Sequence, residues 1–259
     1  MGHERVGVLP RSMSWRKIVI QISQVADSEA SVAQIANATL TNVRKQFGEI
    51  HHDEGVKAAF IFLVALADIK SGDAANSQSL IPHVDLSVNP SPLKLAAALR
   101  DWIFARRQSF EYADIAQKAA TDAIAFWTEQ QKQQPSLFDK DNNVSEIWRK
   151  ASNGGGFCEV ARFFFAKFTE RYLNYFLARE ASAVLPSINE REKFSLSLEK
   201  QVDVVSKHAF ETAKITQSFA AGWFNKYVRR RSLSEKDVEG FLSLAFGKIR
   251  EELRREISK

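Results

Sequence analysis

Apolar residues recur three and four positions apart along most of this chain, and strict apolar–polar alternation is almost absent. That spacing places one greasy face on a helix rather than one face on a strand. Residues 1–14 read as an N-terminal arm, with Gly7-Val-Leu-Pro10 extended and Ser14 as the N-cap of a helix from Trp15 to about Val25. Val32, Ala36, Leu40, Val43 and Phe47 mark a second helix stopped by Gly48. Asp53 is placed to cap a third, whose stretch Ala58 to Ala67 is apolar on every side and is therefore expected at the centre of the fold, ending near Gly72.

Residues 73–90 lack periodicity and hold Pro82 and Pro90, so they predict the longest irregular connection. Ser91-Pro92 then sets a cap before a proline at the first helical position, followed by the stripe Leu95, Leu99, Trp102 and Ile103. A helix starting at Ser109 turns Tyr112, Ala116, Ala119, Ala123 and Phe126 inward and ends before Pro135, and a short one covers Val144 to Ala151. After the turn Asn153-Gly-Gly-Gly156 comes a helix rich in aromatics, from Phe163 to Phe176, closed by Pro186.

Ser187 and Glu190 have the spacing of a capping box and open the longest pattern. Leu198, Val205, Thr212 and Phe219 repeat every seven residues, as do Val202, Ala209, Thr216 and Trp223. The flanking positions hold Ser206, Ala213, Ala220, Gln201, His208, Ile215 and Gly222 instead of the Glu and Lys of a two-stranded coiled coil. The seam is thus expected to pack inside one bundle. Ser232 and Glu235 give a second capping-box spacing, and Val238, Leu242, Ala245, Ile249 and Leu253 form the buried face of the last helix. The expected fold is all-α: a multi-helix bundle of about 8–9 helices with a long C-terminal helical hairpin. It is taken as a single domain over residues 1–259, with a candidate division into two lobes near 135–143.

Composition agrees. Eleven glycines and six prolines in 259 residues are too few for the turns of a sandwich or barrel. A single cysteine, Cys158, allows no internal disulfide and no cysteine-based zinc site, and reads as a small buried hydrophobe. With no apolar leader in Met1–Trp15 and no apolar run of spanning length, the expected location is cytoplasmic.

The net charge is +5, and it is uneven. Residues 222–259 carry ten Lys/Arg against six Asp/Glu and residues 1–17 carry four against one, so the ends sum to +7 and the rest to −2. The residues that could meet an anionic surface or an acidic partner are Lys226, Arg229, Arg230, Arg231, Arg250, Arg254 and Arg255, with Tyr227 beside them. Cations at a helix C-terminus also offset the macrodipole, which is the simpler account of Arg229–Arg231.

Other candidate chemistry is weaker than its plain alternative. His51-His52-Asp53-Glu54 is the densest set of metal-ligand side chains, but neighbours on a helix point about 100° apart and acids suit a helix start. His208 and Glu211 reverse the Glu-x-x-His order of carboxylate-bridged metal bundles and occur once. Asn153–Gly156 lacks the Gly-Lys-Ser/Thr ending of a phosphate loop. No catalytic residue, cofactor or metal is expected.

The leading expectation is a non-enzymatic interaction or adaptor module working with another protein, which could be encoded nearby. The alternatives are a salt-sensitive binder of nucleic acid or anionic membrane through the basic C-terminal hairpin, and an enzyme of a helical class without a familiar motif. The opening Gly7-Val-Leu-Pro-Arg-Ser-Met-Ser-Trp15 resembles the start of uncharacterised bacterial proteins found beside defence genes, and that resemblance implies an antiphage-defence setting.

Overall fold

The computed structural model describes residues 10–24, 29–68, 80–86, 88–107, 111–133, 143–210, 218–228 and 233–256. Of these, 86% are helical and none is in a strand, so the fold is an all-α bundle. Eleven α-helices are present among the described residues, more than the spacing predicts, because two long patterns are interrupted.

The first helices are α1 (Met13–Gln24), α2 (Glu29–Asn42) and α3 (Arg44–Glu49), followed by a 3-10 turn, Ile50–His52. The N-cap of α1 is Ser12 and not Ser14: the Trp15 amide donates to Ser12 Oγ at 3.1 Å. Ser14 instead donates to Asn42 Oδ1 at 2.5 Å, tying α1 to the end of α2. The expected single helix through Phe47 breaks at Val43, and Gly48 lies inside α3.

Helix α4 (Glu54–Ala67) starts at Asp53, whose carboxylate accepts from the Val56 amide at 3.0 Å, and every residue from Gly55 to Ala67 is buried. It packs on α5 (Pro92–Phe104), α6 (Glu111–Gln133), α7 (Val144–Ala151), α8 (Gly154–Val184) and α11 (Glu235–Glu256). Its all-round apolarity is thus that of a helix enclosed by others. Gly72 and Ser109 lie outside the described residues, as do residues 73–79. Ser91 caps α5, accepting from the Lys94 amide at 3.3 Å, with Pro92 in the first turn.

Gly154–Gly156 form the first turn of α8 and are not a loop. A Cβ on Gly154 would stand 2.9 Å from Asn225 Nδ2 and 3.0 Å from Ala221 Cβ, and one on Gly156 2.8 Å from Ala151 Cα. The glycines let α7 and the segment around 221–225 press against the start of α8. Along α8 the ring of Phe60 is surrounded by Phe157, Phe164 and Phe165, and stacks on Phe241 with centroids 5.0 Å apart. Rings at such offsets contribute beyond their buried area.

Helix α9 (Ile188–Phe210) opens with the expected box: the Glu190 amide donates to Ser187 Oγ at 3.2 Å and the Ser187 amide to Glu190 Oε2 at 3.0 Å. Leu198, Val202, Val205 and Ala209 are buried as the heptads predict. The long helix is nevertheless not continuous. Ser218, with φ −61° and ψ 153°, is extended and caps a new short helix, α10 (Phe219–Trp223), which runs into a π-helical turn, Phe224–Val228. Thr212 and Thr216 lie outside the described residues. Both arms of the hairpin remain recognisable, since α9 packs on α11.

The cap of α11 is Ser234 with Asp237, two residues later than expected; the Asp237 amide donates to Ser234 Oγ at 3.3 Å and the Ser234 amide to Asp237 Oδ2 at 3.1 Å. Ser232 is outside the described residues. Val238, Leu242, Ala245, Ile249 and Leu253 are all buried, joined by Phe241 and Phe246. The candidate lobe division near 135–143 falls largely on residues 134–142, outside the described ones, and the apolar cluster holds residues from both sides of it.

Candidate interaction surface

Of the basic residues singled out from the sequence, the four that are described lie at separate places. Arg229, Arg230 and Arg231 lie outside the described residues. Lys226 sits in the π-helical turn, its Nζ 4.7 Å from the Tyr227 ring centroid. The adjoining Trp223 donates its indole N–H to the Asp237 carbonyl at 3.2 Å, which fixes this turn beside the start of α11. Arg250 lies thirteen residues beyond Asp237 on the same helix, about 20 Å along its axis, and Arg254 and Arg255 about 26 Å. Arg254 pairs with Glu251 at 3.0 Å and Arg255 with Glu252 at 2.5 Å, so acids of their own helix offset both.

The histidine sites resolve into capping and pairing. Asp53 caps α4, the rings of His51 and His52 lie 3.9 Å apart, and Glu54 binds Lys57. Among the described residues no three metal-ligating side chains gather. His208 is more exposed than the sequence suggests and stands 3.3 Å from Glu256; Glu211 lies outside the described residues. In the Asn153–Gly156 turn the Gly156 amide donates to Asn153 Oδ1 at 2.7 Å.

Lys57 is a charged residue that sequence reading places in an apolar helix without comment. It is 5% exposed and lies 2.5 Å from Glu54 and 2.9 Å from Glu239. Burial pulls its pKa down, but hydrogen bonds to both carboxylates outweigh that and leave it raised. Glu239 is held below its ordinary value, chiefly by the hydrogen bond from Lys57. On α8, Arg162 and Lys167 reach across to Asp203 and Glu199 on α9, and Arg171 donates to Asp122 on α6 at 2.5 Å. These pairs join helices rather than decorating one.

The surface that sequence reading missed is on α5. Its inner face, Leu95, Leu99 and Ile103, is buried, and Trp102 donates to the Ala58 carbonyl at 3.0 Å. On an outer face Leu93, Ala97, Arg100 and Phe104 follow at i, i+4, i+7 and i+11, one stripe of a helix. Leu93 is 80% and Phe104 61% exposed. Beside this stripe runs a cleft of about 330 Å³, lined by Leu93, Ala96, Ala97 and Arg100 of α5, Gln117, Lys118, Thr121 and Asp122 of α6, and Arg171 of α8. No family model, curated protein or solved structure matches this chain. Function must therefore be read from its own geometry. The signal for the α5 stripe was present in the sequence: Leu93 and Phe104 fall more than 100° around the helix from the centre of the inner face.

Proposed function

We propose that the protein is a helical interaction module, an adaptor that docks another protein on the outer face of α5 and the cleft between α5 and α6. One observation carries the reading: away from its buried face α5 holds two large apolar residues, Leu93 and Phe104, on one outer stripe that the bundle leaves uncovered. A large apolar residue standing alone in solvent needs no explanation, but two on one stripe beside a cleft mark a surface that a partner would desolvate. The bacterial defence setting suggested by Gly7–Trp15 is part of the proposal as context only, and it adds no residue to this surface.

The test is site-specific photo-crosslinking in cells expressing the full chain, with the crosslinking residue at position 93 or 104 and, for comparison, at exposed positions 182 and 243. The reading expects one protein adduct from 93 and 104 and none from the comparison positions. Adducts spread evenly over all four, or found only from a crosslinker at Lys226 or Arg254, would replace it with a different surface.

A further inference from the structure

We infer that the occupant of the α5 surface is an amphipathic α-helix of a partner protein whose flanks are acidic; the inference rests on the reading of α5 as the docking face. Shape comes first. Leu93 and Phe104 stand about 16 Å apart along the α5 axis, three helical turns. Between them Ala96 and Ala97 are small, which leaves room for a rod along the cleft, and Arg100 adds an exposed cation to the same stripe. A cleft of about 330 Å³ has room for one or two large side chains of a partner. Among the described residues there is no strand, hence no sheet edge for an extended peptide to join, whereas apolar residues three turns apart on one face of α5 match the spacing of helix-in-groove anchors.

Charge selects the flank. Residues 92–107 contain Lys94, Arg100, Arg106 and Arg107 against Asp101 alone, a local +3 in a chain of net +5. The guanidinium of Arg106 lies 3.1 Å over the Trp102 ring and that of Arg107 3.3 Å over Phe104, so cations border the exposed aromatic end of the stripe. The acids on the α6 side are already engaged, Asp114 with Lys118 at 2.8 Å and Asp122 with Arg171. A helix bearing Glu and Asp beside a leucine stripe meets attraction along this groove, and one bearing lysines meets repulsion.

The probe is a synthetic acidic peptide of roughly 18 residues, with leucines at i, i+4, i+7 and i+11 and glutamates beside them, long enough to form a helix on binding. It is titrated against the full chain by fluorescence anisotropy and by amide NMR. A scrambled peptide of the same composition and a lysine-flanked version serve as controls. The expected result is saturable binding of the acidic helix alone, with amide shifts confined to α5 and α6. Leu93→Asp, or Lys94→Glu with Arg106→Glu, should weaken it about tenfold or more while leaving Tm unchanged. Equal binding of the scrambled or lysine-flanked peptide overturns the occupant. So does a concentration-dependent dimer of the chain abolished by Leu93→Asp, which would make a second copy the occupant. Absence of peptide binding while crosslinks from position 93 persist overturns the acidic helix and leaves the docking face standing; loss of both removes the docking face itself.

Discussion

The Ser218 hydroxyl donates to the Cys158 sulfur at 3.0 Å and accepts from the Ala221 amide at 3.1 Å, so one side chain both starts α10 and pins it to the first turns of α8. The Cys158 sulfur in turn lies 3.9 Å from the Phe210 carbonyl, at the end of α9. Replacing Ser218 by alanine removes the cap and the hydrogen bond to the Cys158 sulfur. The expected loss is about 1–2 kcal/mol, with Tm lower by about 2–4 °C for each kcal/mol in a chain of this size. Calorimetry reads it directly, and an unchanged Tm would mean that another contact holds the interruption.

Glycines divide by what surrounds them. A Cβ on Gly55 would stand 2.5 Å from Ala113 Cβ and 2.9 Å from its Cα, so Gly55→Ala must push α4 away from α6. Nothing lies within 4 Å of the corresponding point on Gly240, which is exposed in α11. Gly55→Ala should destabilise by about 1–3 kcal/mol or more, whereas Gly240→Ala should stabilise by about 0.5–1 kcal/mol. Urea melts of the two variants should move in opposite directions.

Lys57 and Glu239 give an acid limb of known sign. Because the folded pKa of Glu239 lies below its ordinary 4.5, the stability it contributes is complete above that value and fades as pH falls through the lowered one. Glu239→Gln should therefore lower Tm at pH 7, and the gap to wild type should close as pH drops below 4.5. Lys57→Ala, which strands two carboxylates around a buried site, should be costlier at neutral pH, about 1–3 kcal/mol. Melting curves from pH 7 down to about 3 check both.

The two faces of α5 should separate stability from docking. Leu99 is fully buried, and Leu99→Ala should remove about 2–5 kcal/mol. Leu93→Asp and Phe104→Ser alter exposed side chains and should shift stability by no more than about 0.5 kcal/mol. If Leu93→Asp unfolds the protein, the residue belongs to the core and the docking surface is misassigned.

Helical periodicity carried most of the fold. The enclosed α4, the α5 and α9 caps, the limits of α7 and the buried face of α11 all follow from local spacing, because caps and amphipathic stripes are written in adjacent residues. The breaks at Val43 and Ser218 were not legible. Both fall inside intact apolar patterns, and what sets the second, Ser218 reaching Cys158 sixty residues away, is a tertiary contact. The glycine run misled for a similar reason: Gly154 and Gly156 answer to Ala221, Asn225 and Ala151 across an interface, which spacing does not reveal. Charge counting drew attention to the C-terminal cations, yet Arg250 and Arg254 lie about 20 and 26 Å along α11 from Asp237, the residue that Trp223 next to the Lys226 turn holds. The exposed stripe of α5 escaped because a search for one buried face stops once Leu95, Leu99 and Ile103 have been found.

The most direct measurement is amide hydrogen exchange of the full chain, free and in complex with the protein crosslinked from position 93. Docking on α5 predicts slowed exchange in Pro92–Phe104 and in the part of α6 around Gln117–Asp122, with α9 and α11 unchanged. Protection centred instead on Phe224–Val228 or on the end of α11, with α5 exchanging as it does in the free protein, would contradict it.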